Sequence, residues 1–209
     1  MLDDDLLLLI ISSPSGAGKT TLTRDLLARF PDLGFSVSHT TRKPRANEID
    51  GRDYHFSDAP AFERLVAEGA FAEWAEVHGN LYGTALSEIE RCKQQGKSGI
   101  LFDIDFQGAR QIKARRDDAI GVFVLPPSME ALKQRLRMRA ADDEATIERR
   151  YHNAEREIQH YGLFDYVIVN DDLDEAKERL RGIVLAERSR RKRTAPAAEA
   201  LLRHNSNRR

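Results

Sequence analysis

The chain has 209 residues, of which 41% are hydrophobic and 32% charged, and a formal net charge of -1. That composition suits a folded chain with one sizeable core and excludes a low-complexity or disordered one, while the near-neutral sum gives no overall pull toward nucleic acid or membrane. The lone cysteine, Cys92, excludes an intrachain disulfide and points to a reducing, cytoplasmic setting.

The first element is the apolar run Leu6–Ile11, which is too short to cross a bilayer. It follows three aspartates and lacks a positive leader, so it is not read as a secretory signal. Its length and the Ser-Ser-Pro that ends it predict a strand buried on both faces. Lys19 to Arg29 then reads as a helix with Leu22, Leu26 and Leu27 on one side, stopped at Phe30-Pro31. From about Phe35 to Gly83 the rhythm changes to short half-buried patterns, Phe35–Ser38, Tyr54–Phe56 and Phe71–Val77. A helix over Ala59–Glu68 sits among them, capped by Asp58 with Pro60 in its first turn. Buried strands are then predicted at Gly99–Ile104, Ile120–Leu125 and Tyr166–Val169. They alternate with helical stretches at Gln107–Arg115, from Met129 (after the cap Ser128) to Tyr161, and at Leu173–Leu185. A polar interruption runs from Arg135 to about Arg150. Strands alternating with helices predict right-handed crossovers and a mostly parallel sheet covered on both faces. The last stretch, Ala186–Arg209, holds eight Lys/Arg against two Asp/Glu. We read it as a solvated basic tail, a fraying helix followed by disorder, rather than a specific nucleic-acid or lipid contact.

Chemistry enters with Ser13-Pro14-Ser15-Gly16-Ala17-Gly18-Lys19-Thr20, which lies between the first strand and the first helix. This is the context a phosphate-cradling loop requires: glycines let backbone N–H groups converge on phosphate oxygens, and the helix N-terminus adds its dipole. Lys19 is expected on the β/γ-phosphates of a nucleoside triphosphate, and the Thr20 hydroxyl on Mg²⁺. Ser13 stands where the usual pattern has glycine. The six histidines show no metal-ligand spacing, and one cysteine cannot build a zinc site.

A triphosphate loop names the donor and leaves the acceptor open. Further along stand Ser36-Val37-Ser38-His39-Thr40-Thr41-Arg42-Lys43-Pro44-Arg45, Gly51-Arg52-Asp53-Tyr54, and Phe71-Ala72-Glu73-Trp74-Ala75-Glu76. They are followed by Gly79-Asn80-Leu81-Tyr82-Gly83-Thr84, Leu101-Phe102-Asp103-Ile104-Asp105-Phe106-Gln107-Gly108, Pro126-Pro127-Ser128 and Val169-Asn170-Asp171-Asp172. In order and spacing, over roughly residues 6 to 188, these closely resemble the guanylate kinase family. The resemblance implies an α/β, P-loop three-layer sandwich with a mostly parallel central sheet. Its core would be residues 5–34, 85–134 and 151–188, with a small mixed GMP-binding insert at about 35–84, a helical lid at about 135–150, and a basic, flexible tail at 189–209. The implied reaction is phosphorylation of GMP, and of dGMP, by ATP with Mg²⁺. The implied partners are those small molecules, with no membrane and no specific nucleic acid. The oligomeric state, monomer or homodimer, stays open.

The resemblance also assigns residues. Arg42, Arg45 and Tyr54 fall to the GMP phosphate, where two guanidinium forks and a phenol suit a dianion, and Tyr82 is also assigned to GMP. Glu73 and Asp105 fall to the guanine N1–H and 2-amino donors, with Ser38 and Thr84 near O6. Adenine offers no such donors, so a buried carboxylate would discriminate strongly against it. Asp103 and Asp105, two apart at a strand's carboxyl end, are expected on one face, Asp103 toward Mg²⁺ and Asp105 toward the base, the reverse division remaining open. Arg135, Arg139 and Arg150 are expected to neutralise charge on the transferring phosphoryl, and Asn170 to sit beside the adenine. The fold admits three other readings: a kinase of another small acceptor such as ribose 1,5-bisphosphate, an adenylate kinase, and a non-catalytic binding module of the same fold. The intact Gly18-Lys19-Thr20 argues against the binding module, and the Ser38, Glu73, Thr84 and Asp105 set against the other two.

Overall fold

The computed structural model describes residues 6–77, 79–138 and 143–206. Two sheets organise them. The main sheet has five strands in the order β2 (Leu33–Phe35), β7 (Gly99–Asp103), β1 (Leu7–Ser12), β8 (Ile120–Leu125) and β9 (Tyr166–Val169). All its neighbours run parallel. Successive residues of β1 point to opposite faces and both faces are covered, which is why the strand reads as an unbroken apolar run. Leu7, Leu9 and Ile11 pack with Leu22 and Leu26 of helix α1 (Lys19–Arg29) and Ala176, Leu180 and Val184 of α7 (Leu173–Arg188). Leu8 and Ile10 pack with Ile89 and Cys92 of α3 (Leu86–Gln94) and Ala109 and Ile112 of α4 (Phe106–Arg115). The result is the expected three-layer α/β sandwich.

The second sheet is mixed. It orders β4 (His55–Phe56), β3 (His39–Thr40), β6 (Asn80–Ala85) and β5 (Phe71–Val77), with β3 parallel to β4 and β6 antiparallel to both β3 and β5. Helix α2 (Ala59–Ala67) closes it through Phe62, which stacks on Phe71 with centroids 4.6 Å apart. Asp58 caps α2 by accepting from the Ala61 amide at 2.8 Å, as its position before Pro60 predicts. Two further helices, α5 (Met129–Met138) and α6 (Glu144–Ile158), pack through Leu132, Leu136, Ile147 and Ala154. The Ser128 hydroxyl accepts from the Ala131 amide at 3.1 Å at the start of α5.

Several elements differ from the sequence reading. The strand expected at Phe35–Ser38 lies earlier, as β2, on the edge of the main sheet; Ser36 continues it with its amide on the Leu101 carbonyl at 3.0 Å. β6 and α3 had no counterpart in that reading. The basic C-terminal stretch, expected as a fraying helix followed by disorder, is helical as α8 (Arg191–Ser206), and the helix runs further than expected despite Pro196 within it. Its first turn meets Asp118 through Lys192 at 3.6 Å and Arg193 at 3.9 Å. No described helix is long and apolar enough to cross a membrane.

Candidate active site

The loop between β1 and α1 sits at the carboxyl edge of the main sheet, where open α/β sheets take ligands. Gly16 and Gly18 have φ of 96° and 101°, a conformation that side chains rarely adopt, and the loop closes with the Ala17 amide on the Pro14 carbonyl at 3.2 Å. Space also demands glycine here. A Cβ on Gly18 would lie 2.2 Å from Asn170 Nδ2, and one on Gly16 would lie 3.0 Å from Leu132 of α5. Ser13, in the glycine position of the usual pattern, is half-buried and donates its hydroxyl to the Pro14 carbonyl at 3.0 Å. Lys19 is paired with Asp103, the last residue of β7. Thr20 is exposed at the mouth of the loop.

A cleft of about 280 Å³ runs from this loop to the second sheet. At the near end it is lined by Ser13, Pro14, Ser15, Gly16, Gly18, Lys19, Thr20 and Asp103, and at the far end by Ser38, Tyr54, Glu73, Ala75, Val77, Tyr82 and Asp105. Two strands in register build that far end. Glu73 of β5 faces Thr84 of β6, and its Oε1 accepts the Thr84 amide at 2.8 Å. Thr84 Oγ1 lies 3.4 Å from Ser38 Oγ. Glu73 is only 3% exposed, and burial pushes its carboxyl up to about 7. A Cβ on Gly108 would stand 2.4 Å from Glu73 Oε2, so the absence of a side chain at 108 makes room for that oxygen.

Asp105 is not on a strand, as its spacing from Asp103 had suggested. β7 ends at Asp103, and Asp105 is the N-cap of α4, accepting the amides of Gln107 and Gly108 at 3.0 Å each. Both acids nevertheless line the one cleft. Tyr54 and Tyr82 approach edge-on with centroids 6.0 Å apart. Arg42 is half-buried with its guanidinium 5.2 Å from the Tyr54 ring centroid, and it is bound to the Glu48 carboxylate. Arg45 is exposed. Neither arginine is among the residues lining the cleft.

Asn170 is buried, and its side-chain amide donates to the Ala17 carbonyl at 2.7 Å, so it braces the loop from behind. It also lines a second, open hollow with Gly16, Gly18, Thr21, Arg135, Met138, Asp171 and Leu173. Arg135 reaches the Asn170 carbonyl at 3.0 Å, and Arg150 reaches the Ser15 hydroxyl at 2.7 Å. Arg139 lies outside the described residues. Two carboxylates were missed in the sequence. Glu157 of α6 lines the cleft and accepts the Ser15 amide, and burial raises it to about 7. It lies two turns from Arg150 on the same helix face, a spacing the sequence does display. Glu48 sits three residues after Arg45 and holds Arg42.

Comparison with known proteins agrees with this geometry. The family described as Guanylate kinase matches residues 6–187. A guanylate kinase of Syntrophotalea carbinolica is 50% identical over 195 residues, 93% of this chain and 92% of the relative. One from Mesorhizobium japonicum is 54% identical over 188 residues, 90% of this chain and 86% of the relative. The crystal structure of guanylate kinase from Anaplasma phagocytophilum superposes with a TM-score of 0.71 at 35% identity, covering 90% of this chain and 89% of that one. A phosphate loop facing a buried carboxylate across one cleft, in a chain matched almost end to end, places this protein in the guanylate kinase family.

Proposed function

We propose that the chain transfers the γ-phosphoryl group of ATP to the 5′-phosphate of GMP, giving ADP and GDP. The observation that carries this reading is the single cleft with a phosphate-binding loop at one end and Glu73, Thr84, Ser38 and Asp105 at the other. The loop N–H groups and Lys19 hold the donor phosphates, with the adenine in the hollow beside Asn170. Glu73 and Asp105 accept from the guanine N1–H and 2-amino group, and Ser38 and Thr84 attend O6. Tyr54 and Tyr82, with Arg42 and Arg45 behind them, hold the acceptor phosphate. None of these residues is assigned to the ribose 2′-hydroxyl, so dGMP is expected as a substrate too.

Phosphoryl transfer asks chiefly for alignment and charge neutralisation. The acceptor needs no base, because a phosphate monoester is largely dianionic near neutral pH, its second pKa being about 6 by analogy with phosphorylated side chains. Arg135, Arg139 and Arg150 are assigned to the transferring phosphoryl. Closure of α5 and α6 over the donor excludes water and so limits ATP hydrolysis. Magnesium is the cofactor this reading requires. Thr20 and Asp103 both line the loop end of the cleft and offer hard oxygen donors, and among the described residues no three His, Cys, Asp or Glu cluster into a dedicated metal cage. That donor set fits an ion held by one or two protein oxygens together with substrate phosphates. When bound, Mg²⁺ neutralises charge on the β- and γ-phosphates. The buried free thiol Cys92 is consistent with a reducing compartment such as the cytoplasm.

The test is ADP release with Mg-ATP across a panel of acceptors: GMP, dGMP, AMP, UMP and ribose 1,5-bisphosphate. GMP is expected to lead by orders of magnitude over AMP and UMP. Comparable turnover with AMP or UMP would overturn the guanine assignment.

A further inference from the structure

Arg42 meets Glu48 through its far end. Nη1 donates to Glu48 Oε2 at 3.0 Å and Nη2 to Oε1 at 2.8 Å. Nη1 also donates to the Lys43 carbonyl at 2.7 Å. The same Glu48 Oε2 accepts the Arg45 backbone amide at 2.8 Å. One carboxylate therefore ties the side chain of one acceptor-phosphate arginine to the backbone of the other. Both side chains of the pair are only 17% exposed, and the guanidinium also lies against the rings of Tyr54 and Phe56, 5.2 Å and 5.9 Å from their centroids. Arg42 beside it holds the Glu48 carboxyl below the usual carboxylate range, so the pair is ionised at neutral pH.

A guanidinium has five N–H donors in a rigid plane. The far end is taken by Glu48 and Lys43, which leaves the Nε/Nη2 side edge. The guanidinium's further hydrogen-bond partner is the Tyr82 hydroxyl, and Tyr82 lines the cleft, so the side edge that a phosphate would share with this hydroxyl is the one nearest the cleft lining. That side edge has the spacing to take two oxygens of a phosphate at once. An arginine with nothing at its far end would surrender the rotamer freedom of a long side chain on binding, whereas Arg42 has surrendered it already.

We propose that Glu48 is a positioning residue for the acceptor phosphate. It locks Arg42 by the end away from the substrate, fixes Arg45 through its backbone, and leaves the side edge of Arg42 for a phosphate monoester dianion. The proposal rests on the acceptor reading above, and the wild-type acceptor panel tests that reading separately. Glu48 carries a charge of the same sign as the phosphate, so its contribution is to geometry and not to attraction. A carboxylate that instead merely filled the fork until substrate displaced it would act as a competitor, and its removal would tighten binding.

The experiment compares full-length wild type, Glu48→Ala and Glu48→Gln by steady-state kinetics, and by calorimetric binding of GMP and of guanosine, which lacks the phosphate. For Glu48→Ala the expected result is a KM for GMP at least tenfold higher, with kcat and the KM for ATP within twofold of wild type and guanosine affinity unchanged. Glu48→Gln keeps the shape and one neutral acceptor and is expected in between. An unchanged KM for GMP overturns the proposal, and a lowered one shows a competitor in its place. Equal loss of guanosine and GMP binding in both variants overturns it as well, because the role would then be support of the whole insert.

Discussion

Burial raises the Glu73 carboxyl to about 7, so in its proposed role as acceptor for the base Glu73 makes recognition depend on pH. The rise, from 4.5, stands against the opposing pull of its hydrogen bonds with Thr84. Guanine N1–H and 2-amino donors both favour the ionised carboxylate, so binding must draw the pKa down and release a proton wherever the empty site is protonated. With a pKa of about 7, roughly a tenth of the empty sites are ionised at pH 6 and roughly nine tenths at pH 8. Affinity for the base should therefore fall about tenfold between pH 8 and pH 6. GMP is a poor probe because its own phosphate titrates near pH 6. Guanosine isolates the base. Calorimetric titrations at pH 6, 7 and 8, in buffers of different ionisation enthalpy, would report both the affinity and the proton released. Glu73→Gln should flatten the profile, since an amide does not titrate. A guanosine affinity flat from pH 6 to 8 in the wild type would refute the reasoning. The sign for stability is the reverse: a folded-state pKa above the unfolded value stabilises the fold at low pH. This contribution is lost as pH rises from about 4.5 to about 7 and amounts to about 3 kcal/mol.

Two other substitutions test neighbouring parts of the site. Gly108→Ala would put a methyl 2.4 Å from Glu73 Oε2 and 3.2 Å from Ile104 Cδ1, so the carboxylate must give way. Alanine in a helix gains about 0.5–1 kcal/mol over glycine, so thermal stability is the wrong readout; GMP kcat/KM should drop about tenfold or more while the KM for ATP holds, and an unaltered KM for GMP would show that the close approach is irrelevant. Asn170→Ala removes the donor to the buried Ala17 carbonyl and should cost about 1–3 kcal/mol in urea unfolding, with a raised KM for ATP; equal stability would mean the loop is held some other way.

The readable parts of the sequence were those whose cause is local. β1 and β8 are buried on both faces, so their apolar runs are unbroken, and α1 starts where the glycine loop must turn. The missed elements depend on distant partners. β2 is three residues around Gly34, where a Cβ would meet Cys92 Sγ at 2.3 Å; that glycine is explained only once α3 is packed against it. α3 itself buries Glu88 beside Ile89 and Cys92, because Glu88 accepts the Val37 amide at 2.9 Å and pairs with Arg91, so its inner face does not look apolar. α8 carries Pro196 and presents mostly exposed residues, a composition that resembles a free tail. The site followed the same division. The loop around Lys19 was legible from spacing, whereas Glu73 and Thr84 were picked out only through the family resemblance, and their pairing across β5 and β6 appears in the fold alone. The hold of Glu48 on Arg42 and of Glu157 on Ser15 depends on side chains meeting across turns and helices, which residue spacing alone does not announce.

A cleft meant for two phosphate-bearing substrates holds four carboxylates, Glu73, Asp103, Asp105 and Glu157, with Lys19 as the cation among its lining residues. Left free, those acids would repel both substrates. Each is instead committed. Asp103 is paired with Lys19, and Glu157 accepts the Ser15 amide. Asp105 Oδ1 takes two backbone amides at the start of α4, while its Oδ2 meets only the side chain of Gln107 at 3.0 Å among the hydrogen bonds described. Glu73 Oε1 takes the Thr84 amide. Glu73 and Glu157 are moreover raised to about 7 by burial, so at neutral pH each carries a charge only part of the time. Among the hydrogen bonds described, the least committed oxygens at the far end are Glu73 Oε2 and Asp105 Oδ2. Two acceptors in a desolvated pocket call for two donors on one edge of a base. Guanine presents N1–H and the 2-amino group on such an edge and adenine presents neither, so with Glu73 and Asp105 in the proposed role the same commitments that make the cleft tolerable to phosphates would favour guanine.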